Sequence, residues 1–156
     1  MPIQSDKKHN LEILISTTKK NNLDFIENIF FENYQHNFPI IIVNQAGKIK
    51  DSNNKNIRII NTDSKGLSKS RNMAIKCSSK KFCLLADDDI IYKNGFYKTI
   101  EDSFEENLDA DIITFMMVDE NGKHFKKYSE NIKHNYKSIR EVNSVVIAFK
   151  RESIIK

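Results

Sequence analysis

The sequence predicts an α/β layered domain with a mostly parallel sheet. Three observations predict it. Short apolar runs recur at Leu11-Glu12-Ile13-Leu14-Ile15, Ile40-Ile41-Ile42-Val43, Ile57-Arg58-Ile59-Ile60 and Phe82-Cys83-Leu84-Leu85-Ala86. Segments with apolar residues at helical spacing separate several of them. The run Ile40–Val43 is apolar at every position, the pattern of a strand covered on both faces, as helices cover a layered α/β sheet.

Taken in order, Leu11–Ile15 is a strand ending at the polar Ser16-Thr17-Thr18. Leu23, Ile26, Ile29, Phe30 and Tyr34 then recur at helical spacing, with Asn22 as cap and Asp24 in the first turn. Pro39 opens the second strand. Asn44 to Asn56 is polar with a glycine, hence a loop, before the third strand at Ile57–Ile60. Gly66 precedes a helix over Ser68 to Lys76, and the fourth strand runs into Asp87-Asp88-Asp89. Asn94 to Leu108 is a helix with Phe96, Ile100 and Phe104 on one face and Glu101, Asp102, Glu105 and Glu106 toward water. Ile112 to Val118 is a long strand, an Asn121-Gly122 turn follows, and a return strand runs around His124 to Tyr128. Val142 to Phe149 is the last strand, and Arg151-Glu152-Ser153 begins a helix.

A chain of 156 residues has the length of one domain. At 39% hydrophobic and 29% charged it can bury a single core. The net charge is only +4, and the 25 basic residues are spread along the chain, which favours a solvated surface with an anion-binding face over a nucleic-acid binder. Cys77 and Cys83 lack partners at zinc-ligand spacing and read as reduced, mostly buried thiols of a cytosolic protein. No apolar run approaches the ~20 residues of a membrane span, and the N-terminus lacks the apolar stretch of a signal peptide. A cytoplasmic protein is expected. The basic stretch from Lys123 to Lys137 reads as a solvated face, with peripheral contact to anionic lipid at the inner face of the membrane as the alternative. His9, His36, His124 and His134 are scattered and read as surface or structural residues. Tyr34, Tyr92, Tyr97, Phe96 and Phe104 read as packing.

In such sheets ligands bind beyond the carboxyl ends of the strands. The polar residues there are Thr17 and Thr18, Asn44 and Gln45, Asn61 to Asp63, and Asp87 to Asp89. Three adjacent carboxylates raise each other's pKa unless something neutralises them, and carboxylate oxygens suit Mg²⁺ or Mn²⁺. In extended chain Asp87 and Asp89 share a side and face one ligand, while Asp88 faces away. A solvated acidic turn is the competing reading. A second feature is Gly66-Leu67-Ser68-Lys69-Ser70-Arg71-Asn72. Free N–H groups at a helix start favour an anion, Gly66 permits close approach, and Arg71 can reach a phosphate, with Lys65 and Lys69 adding positive potential. Alone, it reads equally as a capped surface helix.

Together, Gly66 to Asn72 and Leu84-Leu85-Ala86-Asp87-Asp88-Asp89 resemble the donor-binding core of family 2 glycosyltransferases. Val145-Val146-Ile147-Ala148-Phe149-Lys150-Arg151 is similar to the strand that precedes that family's acceptor-side segment. The resemblance runs from about Leu11 to the end of the chain and implies a Rossmann-like GT-A three-layer α/β/α domain with a mostly parallel central sheet. It implies an enzyme, inverting in mechanism, that moves a sugar from a nucleotide-diphosphate donor, a UDP-sugar first, to a saccharide or lipid-linked acceptor hydroxyl in polysaccharide or glycoconjugate synthesis.

By that resemblance Asp87 contacts the ribose or base side of the donor and, with Asp89, belongs to the site of a Mg²⁺ or Mn²⁺ ion. Asp88 and Gly66 belong to the donor site, Arg71 lies near the nucleotide or its phosphates, and Thr17 and Asn44 border the base. The family usually has an acidic residue where this chain has Asn44-Gln45, and an amide still hydrogen-bonds a base edge. An inverting member also needs a carboxylate base. The resemblance places that base after the strand matched by Val142–Phe149, so residues 1–156 are expected to be a donor-binding domain ending before it, poor in transfer and prone to self-association through an uncovered apolar face. Asp119 and Glu120 are candidates only by default. The readings from other classes are a non-catalytic nucleotide-binding or interaction module, and a metal-dependent phosphoryl-transfer enzyme, against which stands the absence of a Gly-x-x-x-x-Gly-Lys-Ser/Thr loop.

Overall fold

The computed structural model describes residues 9–31, 38–50, 52–125, 131–142 and 144–155. Six strands, β1 (Leu11–Thr18), β2 (Ile40–Gln45), β3 (Ile57–Thr62), β4 (Phe82–Asp87), β5 (Ile112–Thr114) and β6 (Ile147–Lys150), form one sheet in the order β3-β2-β1-β4-β6-β5. β1 to β4 pair in parallel, and β6 runs antiparallel to both β4 and β5. The expected mostly parallel sheet is therefore present, with an antiparallel edge added.

The helices are α1 (Asp24–Ile29), α2 (Leu67–Cys77), α3 (Phe96–Glu106) and α4 (Arg151–Ile154). Alternation along the buried strands sorts the core into two layers. Leu11, Ile13, Ile15, Ile40, Ile42, Phe82 and Leu84 pack with Phe25, Ile26 and Ile29 of α1 and Ile100 and Phe104 of α3. Leu14, Ile41, Val43, Cys83 and Phe149 pack on the other face with Ala74 and Met73 of α2. The Phe82 and Phe104 rings stack with centroids 4.6 Å apart, tying α3 to β4. Phe96 and Tyr92 pack against Phe30, and Tyr97 against Phe38, so these aromatics are packing residues as expected.

Several boundaries differ from the sequence expectation. α1 ends at Ile29, whereas apolar spacing continued to Tyr34, which lies outside the described residues. Leu23, not Asn22, takes the cap position, and the Asn22 side chain bonds Asp24 twice, accepting from its N–H at 3.4 Å and donating to its carboxylate at 2.7 Å. The long strand expected over Ile112–Val118 pairs only at Ile112–Thr114. Beyond it the chain leaves the sheet for a hairpin, with one bridge between Val118 and His124 and a left-handed Gly122 at φ 78°. The rest of the expected return strand lies outside the described residues. β6 begins at Ile147 rather than Val142, because Val146 has φ 57°. A left-handed β-branched residue turns the chain and interrupts the ladder.

Candidate functional site

Parallel pairing brings the carboxyl ends of β1 to β4 to one edge of the sheet. The registers Thr17↔Asn44, Asn44↔Asn61 and Ser16↔Asp87 place polar residues of four strands side by side there. Apolar runs fix these strands, and each run turns polar at that edge.

β4 ends at Asp87, and Asp88 and Asp89 form a turn. The two-residue alternation expected to put Asp87 and Asp89 on one side therefore stops at Asp87. Asp87 lies on the α2 face, where Arg71 Nη2 meets Oδ1 at 2.9 Å, with both side chains half-buried. Asp88 turns to β1: the Thr17 hydroxyl donates to Oδ2 at 2.5 Å, and Lys20 Nζ lies 3.3 Å from the same oxygen. Asp89 is exposed and has no ion pair among the described residues. Burial, and then the charges of Asp87 and Asp89, push the Tyr92 phenol well above its ordinary range, so Tyr92 stands under the triplet as a neutral wall.

Gly66 starts α2 with φ 122°, a conformation side chains rarely adopt. Its N–H donates to Gln45 Oε1 at 2.7 Å, and Gln45 Nε2 donates to Ser70 Oγ at 3.2 Å. Gln45, buried at the end of β2, thus fixes the helix start beside Arg71. No side chain caps α2, which leaves first-turn N–H groups at the strand-end edge.

Asn44 is placed differently from a residue that borders a ligand. Its side chain is 0% exposed. Its Oδ1 accepts from Lys20 N at 3.1 Å, and its Nδ2 donates to Lys20 O at 2.9 Å and to Asn61 Oδ1 at 3.1 Å. Asn61 exchanges two more bonds with the backbone of Ile49, both 2.9 Å. The amide pair clamps the loop after β1 onto the loop after β2. Asn44 therefore holds Lys20, and Lys20 reaches the site. Gly47 completes the clamp, since a Cβ there would lie 2.7 Å from Lys20 O.

Thr17, Arg71, Asp87 and Asp88 are joined by direct contacts, Gly66 and Asn44 are held one step behind, and Asp89 stands open. Sequence reasoning missed Lys20 as a cation of the site and Asn61 and Gly47 as its supports. The signal available was position: Asn61 is the next-to-last residue of a strand and Lys20 lies two residues beyond one.

The profile of Glycosyl transferase family 2 matches residues 6–152. The chain belongs to this family. Among solved structures it is similar to a crystal structure of S. aureus TarS covering residues 1–349, with TM-score 0.62 and 16% identity over 90% of this chain. The chain spans about half, 47%, of that one. At that identity the likeness shows the fold, a Rossmann-like GT-A domain. No curated protein matches.

Family 2 members commonly use a divalent metal. Among the described residues no three ligating side chains converge as an all-protein cage. The donors that do occur are the adjacent carboxylates and, beside them, the Ser16 hydroxyl, which is buried without a hydrogen-bond partner among the described residues and pairs in register with Asp87. One or two carboxylates completed by water and phosphate oxygens is the usual Mg²⁺ arrangement, and these residues fit it.

Asp119 spends its carboxylate on the hairpin, accepting from the backbone N–H groups of Asn121 and Lys123 at 2.9 Å each. This is the turn role its sequence context indicated. His9 packs against Phe38 and Tyr97, His124 lies in the hairpin bridge and His36 lies outside the described residues. Part of the basic stretch from Lys123 to Lys137 also lies outside them. No helix among the described residues is long and apolar enough to cross a membrane.

Proposed function

We propose that the strand-end edge binds the diphosphate of a nucleotide-activated sugar, a UDP-sugar first, and that the chain is the donor-binding part of a glycosyltransferase. The observation that carries the proposal is the pairing of Arg71 with Asp87 and of Lys20 with Asp88 beside an open Asp89, with Arg71 on a helix whose start carries no side-chain cap. Cations and free N–H groups suit phosphate oxygens, and carboxylates suit the divalent ion that offsets the remaining charge. In this arrangement Asp89, with Asp87, would hold Mg²⁺ or Mn²⁺, which screens the diphosphate as it leaves. Arg71 orients a phosphate, Thr17 fixes Asp88, and Gln45 holds Gly66 and Ser70 so that the start of α2 keeps its place. Transfer to an acceptor hydroxyl of a saccharide or lipid-linked substrate, with inversion, belongs to the proposal and is supported by the family resemblance rather than by the geometry. Asp119 is committed to its turn and is not assigned as the base.

The test is calorimetric titration of the chain with uridine and guanosine diphosphates, with Mn²⁺ and with chelator. Diphosphate binding that requires Mn²⁺ and is lost in Asp89→Ala is expected. Equal binding in chelator, or normal Mn²⁺-dependent binding by Asp89→Ala, would overturn the proposal.

A further inference from the structure

The two faces of the sheet carry opposite charge. Residues 64–86 hold six basic residues, Lys65, Lys69, Arg71, Lys76, Lys80 and Lys81, and no carboxylate. α2 lies within this run and covers one face of the sheet. α1 and α3 cover the other face and carry Asp24, Glu27, Glu101, Asp102, Glu105 and Glu106 against a single cation, Lys98, which is paired with Asp102. A molecule charged in this way turns its α2 side toward an anionic surface and its α1–α3 side away.

Arg71 is turned to Asp87, but Lys69, Asn72 and Lys76 are exposed, and their spacing of three and four puts them on one stripe of α2. Lys69 and Lys76 have no ion pair among the described residues. Arg58, exposed on β3, adds a cation at the far end of the helix, where its Nη1 donates to Cys77 O at 3.3 Å. α4 brings one carboxylate, Glu152, and one cation, Arg151, whose Nε donates to Ser78 O at 2.8 Å. Between α2 and α4 runs an open groove lined by Asn72, Ile75, Lys76, Ile154 and Ile155. Three isoleucines therefore stand at the surface beside an unpaired lysine.

We propose that the α2–α4 face is a docking surface for a membrane containing anionic phospholipid. Headgroup phosphates meet Lys69, Lys76 and Arg58, and the groove takes the upper part of an acyl chain. This does not depend on the diphosphate reading. A soluble polyphosphate satisfies the lysines and leaves the isoleucines in water. The acidic face of a second copy does the same, since the exposed positions of α3, Lys98, Thr99, Glu105 and Glu106, are all polar. The face is distinct from the basic stretch of Lys123 to Lys137, where Lys133 is already paired with Asp109.

The test is co-sedimentation of the chain with mixed phosphatidylglycerol–phosphatidylcholine vesicles and with pure phosphatidylcholine vesicles, after thermal melts have shown each variant folded. Binding to the mixed vesicles alone is expected, and it should fall away as salt rises toward ~1 M, where the Debye length is about 3 Å. Lys69→Gln and Lys76→Gln should each weaken partitioning about fivefold, and together multiplicatively. Ile154→Ser should weaken it about threefold with the salt dependence unchanged. The pair Lys133→Gln and Lys137→Gln should leave it as it was. No binding to the mixed vesicles, equal binding to phosphatidylcholine, or full binding by the Lys69→Gln/Lys76→Gln chain overturns the proposal. Loss in the Lys133→Gln/Lys137→Gln chain moves the contact to the other basic stretch and overturns it too. Unchanged binding by Ile154→Ser, with soluble polyphosphate displacing the chain from vesicles, makes the face a polyanion site instead. A salt-labile dimer in sedimentation without vesicles, abolished by Lys76→Gln, makes it an interface between copies and likewise refutes the membrane reading.

Discussion

Gly47→Ala tests the clamp that positions Lys20, and its size can be worked from distances. An added Cβ would lie 2.7 Å from Lys20 O, 2.9 Å from Asn44 Nδ2 and 2.9 Å from Lys19 Cα. Non-bonded carbon contacts settle near 3.5–4.0 Å, so each neighbour must retreat by roughly 0.6 Å or more. None can do so cheaply. Lys20 O and Asn44 Nδ2 are bonded to each other, Asn44 is fully buried, and Lys19 is already left-handed at φ 55°. Overpacking of this kind costs about 1–3 kcal/mol, and weakening of the Asn44–Lys20 bonds adds to it. We expect a loss near the top of that range, about 3 kcal/mol, which lowers the thermal midpoint of a chain this size by about 6–12 °C. Gly95→Ala is the control. Nothing lies within 4 Å of a Cβ there, and the only cost is its φ of 80°, about 1 kcal/mol. Urea unfolding of the two variants beside the parent is the assay. A Gly47→Ala midpoint equal to the parent's, or above that of Gly95→Ala, would show that the two loops are not locked as described.

Asn44→Asp keeps the shape of the clamp but turns a donor into a charged acceptor facing Lys20 O and Asn61 Oδ1; it should destabilise the chain by about 2–4 kcal/mol and weaken UDP binding, although it supplies the acidic residue usual in the family at this position. Phe104→Ala removes a ring stacked on Phe82 and 2% exposed, and should cost about 3–5 kcal/mol in urea unfolding without altering UDP affinity per folded molecule. Burial pushes the Cys83 thiol up from 9.0 to about 11, so the folded state holds that proton more tightly than the unfolded one. The resulting stability is complete below pH 9 and is lost as pH rises through 11, by up to about 2–3 kcal/mol; a Cys83→Ala chain should lose correspondingly less between pH 8 and 11. In native buffer a thiol reagent should titrate the half-buried Cys77 and leave Cys83 untouched.

The parts of the fold that were legible in the sequence are those that local periodicity encodes. Ile40–Val43 could hardly be anything but a doubly covered strand, and Phe82–Ala86 delivers the triplet to the sheet edge as its apolarity required. Periodicity does not report register, however. That Asn44 stands opposite Asn61, or Ser16 opposite Asp87, follows from how whole strands align, and no local pattern states it. Lys20 was overlooked for the same reason, since its ion pair with Asp88 closes a long loop in sequence. β5 and β6 were drawn too long because apolar content continued where pairing did not. Phe115 leaves the sheet toward the hairpin, and Val146 takes a backbone angle that residue type argues against.

The end of β4 one residue into the triplet has a consequence for how stability and binding divide among the three aspartates. The strand-to-turn junction fans the side chains apart: Asp87 to Arg71 on α2, Asp88 to Thr17 and Lys20 on β1 and its loop, and Asp89 to solvent. Two of the carboxylates therefore tie elements together, and the third contributes like-charge repulsion without a compensating contact among the described residues. Functional groups often carry such a local cost. Asp89→Asn should then unfold at the same temperature as the parent or higher in metal-free buffer, more so at low salt, where repulsion is least screened. Asp88→Asn should unfold lower, because a neutral amide cannot match Lys20. With Mn²⁺ and UDP added, the parent should gain stability that Asp89→Asn does not, so that the order of the two reverses. Thermal melts of the three chains, with and without ligands, decide it: an Asp89→Asn chain less stable than the parent without metal would make Asp89 a structural residue and remove the reason for assigning it to the ligand.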